Sequence, residues 1–481
     1  MLFHSYVFIL VFLPTTFALY FYLQYLKLPV AARSLLLCAS LFFYSWWNIL
    51  YLPLILFSIL CNYKVGTVLL NEVHSERARK NVLGAGIAVN IGLLGFFKYA
   101  DFFISNVNLV MRTDFDLLHL MLPLAISFFT FQQIAYLVDS YKKKVKDNSF
   151  LNYALFVTFF PQLIAGPIVH HKQMMPQFGA GKNNTINYEN IAKGLFIFAI
   201  GLFKKIMIAD AFAFWANLGF DNPYELNLLE AWVASLSFGF QLYFDFSGYA
   251  DMAIGIALMF NIKLPVNFRS PYKATSIQEF WQRWHITLSN FLRDYISLPL
   301  KRRGVSLRLN IFLTFMVSGI WHGAGWTFVI WGALHGAALV IQDIWKGLGF
   351  KLGVILAWPL TFIFLTVTRV FFRANDFDDA IHMLHKMFFG QVVLPSSLQN
   401  PLGFLSQYGV TFGRYLGNLR TTNGAINALI IGFIIILLFK NSTEMMEEMK
   451  PGKKSMLFTA FLFTVALTNL AKEQEFYYFI F

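Results

Sequence analysis

Ser318-Gly-Ile-Trp-His-Gly-Ala-Gly-Trp326 joins two apolar blocks, residues 309–320 and 326–344, and places the ionisable His322 at their junction. An ionisable side chain at membrane depth is costly and rare, so it marks a functional position by default. Gly319, Gly323 and Gly325 let backbone or substrate approach the ring closely. Working outward, further blocks long enough for a hydrocarbon core of about 30 Å lie at residues 6–25, 35–47, 50–70, 82–103, 117–138, 191–218 and 232–260. Residues 354–372, 425–439 and 456–470 complete the set, about a dozen crossings by the length rule.

Composition agrees with this pattern. Of 481 residues, 57% are hydrophobic, 18% aromatic and 13% charged, with a mean hydropathy of +0.57. Soluble domains carry about 25% charged residues, so a water-soluble enzyme is excluded. In a soluble protein the net charge of +13 would suggest nucleic acid. Here the basic residues fall in short stretches between apolar blocks, which reads as membrane topology with no nucleic-acid partner. Cys38 and Cys61 both sit in apolar stretches, indicating neither a disulfide framework nor a cysteine metal site. The expected fold is an all-α polytopic membrane protein, with residues 1–481 as one domain and residues 6–25 retained as the first span.

Arg77, Arg79 and Lys80, then Lys142, Lys143, Lys144 and Lys146, then residues 263–308 form the basic, cytoplasmic loops, opposite Asp221, Glu225 and Glu230. Three apolar blocks separate the second and third basic loops, where an even number of crossings is needed. Residues 153–169 contain Phe160-Pro-Gln-Leu-Ile-Ala-Gly-Pro167, which breaks a helix, so this block is expected to be re-entrant, with the N-terminus outside. Residues 271–300 read differently. Ser276 and Glu279 form a capping box, and Ile277, Phe280, Trp281, Trp284, Leu288, Phe291, Leu292 and Tyr295 recur at helical spacing. One amphipathic helix at the cytoplasmic interface is predicted.

A neutral His322 imidazole suits general-base work, because apolar burial disfavours its charged form. The alternative is a packing histidine between two tryptophans. His285 falls at the edge of the amphipathic helix's apolar face, either as a second polar group needing a partner or as an interfacial anchor. His335 lies off the His322 face and reads as helix packing. Asp245 and Asp251 sit within an apolar block and must face the interior, either paired with Lys204, Lys205, Arg269 or Arg283 or lining a channel. Walker A, G-x-S-x-G and H-E-x-x-H motifs are absent. His170-His171 read as loop histidines, and no metal centre is expected.

Gln241 to Asp251, Asn267-Phe-Arg-Ser-Pro-Tyr272, Gln278-Glu-Phe-Trp-Gln-Arg-Trp-His-Ile-Thr-Leu-Ser289, Phe291-Leu-Arg-Asp-Tyr295 and the motif around His322 resemble the membrane-bound O-acyltransferase family, in the same order. The likeness is to the bacterial branch that O-acetylates alginate and peptidoglycan. It covers almost the whole chain, including the opening Phe-rich span, Phe160-Pro-Gln-Leu-Ile-Ala-Gly-Pro-Ile168 and Glu475-Phe-Tyr-Tyr-Phe-Ile-Phe481. The resemblance implies roughly eleven to twelve transmembrane helices plus re-entrant and interfacial helices around a central tunnel. It also implies cytoplasmic acetyl-CoA as donor, with no bound cofactor. The family's essential histidine maps to His322 and its second position to His285. Arg283, Trp284 and Trp321 would frame substrate, together with Asp245 and Asp251.

The same resemblance implies a bacterial inner-membrane enzyme whose acetyl group reaches a polysaccharide through a periplasmic SGNH-like acetyltransferase, a serine site this chain lacks. One departure is Leu300-Lys-Arg-Arg-Gly304, where relatives often carry a Gly-Gly-Asn-Arg-like turn. Two rivals remain: a D-alanyl or other acyl transferase of the same fold with a carrier-protein donor, and a transporter. No inverted repeat supports the latter.

Overall fold

In hydrocarbon every backbone polar group must be satisfied within its own segment, and the chain meets this demand with helices. The computed structural model describes residues 1–470 other than 72, 74, 180, 182 and 183. The closing motif 475–481 lies outside the described residues. The two strands found among the described residues, Val393–Pro395 and Thr411–Gly413, form a short parallel pair. Among the described residues, five helical runs are long and apolar enough to cross a membrane: Phe8–Tyr25, Ile49–Leu70, Glu76–Met111, Trp326–Gly347 and Val354–Arg373. Gly424–Leu438 and Ser442–Glu448 make a sixth if counted as one span bent by 49°. The fold is therefore an all-α polytopic membrane protein, and several other predicted blocks are shorter helices such as Pro29–Ser45.

Block 117–138 is helical only from Ile126. Upstream of it, His119 and Ala125 have positive φ, and the N–H groups of Leu118 and His119 donate to the Asp101 carboxylate at 2.7 and 3.0 Å. A side chain thus replaces the helical partners of these amides, and hydropathy alone does not register that.

Two compact units are formed. The first comprises residues 1–202 and 249–266 and the C-terminal segment from 446. Its core includes Phe8, Phe12, Phe43 and Phe160, with ring centres 5.3 to 6.2 Å apart. Within residues 153–169, Phe150–Thr158 ends at Phe159 and Phe160–Leu163 follows. At nine and four residues, neither helix can span a bilayer. Both are buried, as broken backbone at membrane depth requires.

The second unit comprises residues 203–248 and 267–445. Its central feature is the hairpin of Leu307–His322 and Trp326–Gly347. Here Gly319 and Gly332 meet backbone to backbone: a Cβ on Gly319 would lie 2.5 Å from the Phe328 carbonyl, and one on Gly332 2.7 Å from the Phe315 carbonyl. Small residues are what allow membrane helices to approach this closely. At the far end Arg308 pairs with Asp343 at 3.1 Å. On Leu307–His322 the polar residues Asn310, Thr314, Ser318 and His322, four apart, are buried, while Leu309, Leu313, Val317 and Ile320 are exposed. The helix turns its polar stripe inward and its apolar one to lipid.

Candidate active site

Residues 271–300 do not form the single amphipathic helix that their spacing predicts. Ser276 does cap the first turn, its hydroxyl accepting from the Glu279 N–H at 3.2 Å. The Glu279 carboxylate instead accepts from the N–H and hydroxyl of Thr275. Ile277–Arg283 then gives way at His285, whose backbone is left-handed (φ 44°, ψ 51°), and Ile286–Leu292 begins. A π-helical turn, Arg293–Ser297, and Leu298–Arg302 follow. The segment just upstream holds the break open: the Arg269 N–H donates to the Arg283 carbonyl at 2.9 Å, and the Ile286 N–H donates to the Asn267 carbonyl at 3.0 Å. A non-glycine residue held at such φ costs about 1–3 kcal/mol, and strain of this kind clusters at functional sites.

Asn267 also fixes the His285 tautomer. Its side-chain oxygen accepts from the Thr287 N–H at 3.2 Å and from the Thr287 hydroxyl at 2.9 Å. An amide N–H can only donate, so the Asn267 atom at this point is the oxygen. His285 Nδ1, 3.2 Å from that oxygen, must then carry the proton, leaving the lone pair on Nε2. Burial in this non-spanning segment pushes the imidazole down to about 3, so it is neutral at physiological pH.

His322 closes Leu307–His322 at Gly323. Its ring meets Trp321, Trp331 and Phe372 at centre distances of 4.9, 5.1 and 5.3 Å. The Trp321 ring also lies 6.5 Å from that of His285, which packs edge-on against Phe246 at 4.8 Å. Trp321 therefore borders both histidines, and aromatic faces exclude water around them. A cavity of about 550 Å³ reaches Ser318, one helical turn before His322, and neither histidine lines it. Its wall includes Ile286, next to His285, and Thr314 and Ser318 from the stripe that leads to His322, while its rim carries the exposed Gln278, Arg293 and Lys346.

Trp284 is buried against Tyr272, Phe280 and Phe268. Arg283 braces the break, its guanidinium 2.8 Å from Glu279 and donating to the Arg269 carbonyl. Asp245 pairs with Lys205 at 2.9 Å, and Lys205 binds Asp210 at the same distance. Asp251 is buried in the first unit. His335 is a structural histidine: Trp281 Nε1–H donates to Nδ1 at 3.3 Å, so Nε2 carries the proton and faces the Thr368 hydroxyl at 3.2 Å.

His170, His171 and Asp139 come together in the first unit, with both Nε2 atoms 3.0 to 3.1 Å from one Asp139 oxygen and Lys172 3.5 Å away. Burial would raise the Asp139 carboxyl, but hydrogen bonds from the two histidines outweigh it and hold the group well below the usual carboxylate range. A metal fits poorly. His170 Nδ1 accepts from the Lys172 N–H at 3.2 Å, so the neutral ring keeps its proton on Nε2, the atom that would have to ligate.

Sequence reasoning missed Asn267 and Thr287 as the support of His285, because that contact spans about 18 to 20 residues of chain. It also missed the Asn310–Thr314–Ser318–His322 stripe, which the fourfold spacing would have revealed.

Residues 6–349 match the profile of the membrane-bound O-acyltransferase family, a match that runs through both units. The peptidoglycan O-acetyltransferase of Helicobacter pylori is 50% identical over 420 residues, covering 80% of each chain. The "Probable alginate O-acetylase AlgI" of Pseudomonas aeruginosa is 39% identical over 402 residues, covering 81% of this chain and 75% of that protein. The teichoic acid D-alanyltransferase of Bacillus subtilis is 26% identical over 234 residues, covering 46% and 59%. With residues of its strained break and its tryptophan-flanked histidine inside the matched region, the chain belongs to the membrane-bound O-acyltransferase family and is an integral-membrane O-acyltransferase.

Proposed function

We propose that the chain takes acetyl from cytoplasmic acetyl-CoA and passes it across the bacterial inner membrane for O-acetylation of a cell-envelope polysaccharide. Peptidoglycan is the first candidate acceptor and an alginate-like exopolysaccharide the second, by similarity to the relatives so named. Delivery runs through a periplasmic SGNH-like acetyltransferase, as the family resemblance implies. A D-alanyl donor is less favoured, because that relative matches under half of the chain.

The observation that carries the reading is the aromatic enclosure around the buried His322, with a cavity large enough for a thioester arm lined by Ser318 one turn before it. His322 performs the chemical step, as general base toward the incoming hydroxyl or as transient acyl carrier. His285, with its lone pair held on Nε2, is the second imidazole. Transfer of radiolabelled acetyl from acetyl-CoA by the purified protein in lipid tests this. Hydroxylamine-labile label on the protein would identify an acyl carrier, and label found only in ester product would identify a base. No transfer, with or without a periplasmic partner, would remove acetyl-CoA as the donor.

The Asn267 support gives a second expectation. Asn267→Leu leaves Nδ1–H of His285 without its acceptor and frees the ring to change tautomer. Transfer should fall by at least tenfold, as when a histidine loses its orienting group. Asn267→Asp, which keeps the acceptor, should retain more activity. Equal rates in the native protein and Asn267→Leu would remove His285 from the reaction.

A further inference from the structure

Arg369, on Val354–Arg373, is only 6% exposed. Its guanidinium carbon stands 4.8 Å from the centre of the Tyr272 ring, whose hydroxyl donates to the Gly239 carbonyl at 2.6 Å. Gly239 makes room for it, since a Cβ there would lie 2.4 Å from Nη1. Nη2 is buried without a hydrogen-bond partner, and no carboxylate pairs with Arg369 among the described residues. The contrast is Arg79, also buried, whose Nε and Nη2 donate to the carbonyls of Leu69 and Tyr141. Arg79 is a finished structural contact, whereas Arg369 is a buried cation that, among the described residues, has an aromatic face and no anion against it.

Its place is informative. Three residues on, Phe372 packs against the His322 ring at 5.3 Å, and residues three apart share a helix face. The preceding Thr368 contacts His335. An uncompensated charge in a low-dielectric interior is strongly unfavourable unless an anion joins it.

We propose that Arg369 binds a negatively charged oxygen of the reacting species beside His322; this rests on the acyl-transfer reading above. Two sources supply that chemistry. When a hydroxyl adds to the thioester carbonyl, the new C–O bond forms, the C=O π pair moves onto oxygen, and the hydroxyl proton passes to imidazole. Collapse returns the pair, breaks the C–S bond, and the imidazolium protonates the leaving thiolate. Arg369 stabilises the oxyanion between these steps, or else it holds a carboxylate of an acceptor saccharide that reaches this site directly, without the periplasmic partner.

Full-length protein in lipid nanodiscs, native and as Arg369→Met and Arg369→Lys, is assayed for thiol release from acetyl-CoA, with water as acceptor and with added oligouronate. Thermal unfolding is followed against sodium acetate at constant ionic strength. With the oxyanion as guest, Arg369→Met lowers kcat about 10²-fold in both assays, and Arg369→Lys recovers part of it. With an acceptor carboxylate as guest, Arg369→Met raises KM for oligouronate alone. In either case Arg369→Met unfolds at or above the native temperature, and acetate raises the native Tm but not the variant's. A variant that unfolds well below native with proportionate loss of activity, or one that keeps native rates in both assays, overturns the assignment in favour of a packing cation. Should the native protein release no thiol, the acetyl-CoA reading falls and the acetate response alone decides for or against Arg369.

Discussion

His322→Gln is expected to reduce acyl transfer by about 10³- to 10⁴-fold while leaving expression and thermal unfolding near native. Proton transfer by a positioned side chain contributes about 10²–10⁴-fold, and the upper part of that range applies where no water replaces the lost base. Three aromatic rings surround His322, and the side chain is buried. Glutamine keeps a polar side chain of similar size in the enclosure, so the loss reports chemistry rather than a cavity. His322→Ala serves as the harsher control. Rates within tenfold of native in the glutamine variant would place the chemical step elsewhere, with His285 next in line.

Lys205→Met should destabilise the protein by about 3–5 kcal/mol, the usual consequence of removing one partner from a buried ion pair. The ammonium lies 2.9 Å from both Asp210 and Asp245, and Lys205 and Asp245 are almost fully buried. Without it, two carboxylates face each other with no cation between them. Lys205→Met combined with Asp210→Asn and Asp245→Asn should recover much of the loss, because neutral groups of similar shape tolerate the interior. Thermal unfolding in one detergent measures both variants. A single substitution costing under about 1 kcal/mol would mean that the pair is solvated.

The apolar blocks, the helix break within Phe160-Pro-Gln-Leu-Ile-Ala-Gly-Pro167 and the inward-facing Asp245 were legible because each depends on local composition or on the cost of burying charge. Lys205 was among the candidate partners of Asp245, and the structure pairs them. The helix break at His285 was not legible. Its periodicity favours one helix, and the competing bonds come from Asn267 and Arg269, distant in sequence. Block 117–138 failed for a similar reason, since the Asp101 carboxylate captures amides that a helix would otherwise use. The two histidines were singled out by their motifs. That Trp321 borders both, and that Arg369 lies one turn from Phe372 with Nη2 lacking a hydrogen-bond partner among the described residues, emerges only from packing.

The inward polar stripe of Leu307–His322 also bears on how the protein is made. Its 16 residues rise about 24 Å, short of a full hydrocarbon core, and end at a histidine followed by non-helical backbone. Asn310, Thr314, Ser318 and His322 would each disfavour leaving the translocon for lipid if this segment partitioned alone. Trp326–Gly347 is long and apolar enough to insert by itself, and its Gly332 fits directly against Gly319. The two segments should therefore partition as a preformed hairpin, with the downstream helix acting as an intramolecular chaperone for the upstream one during biogenesis.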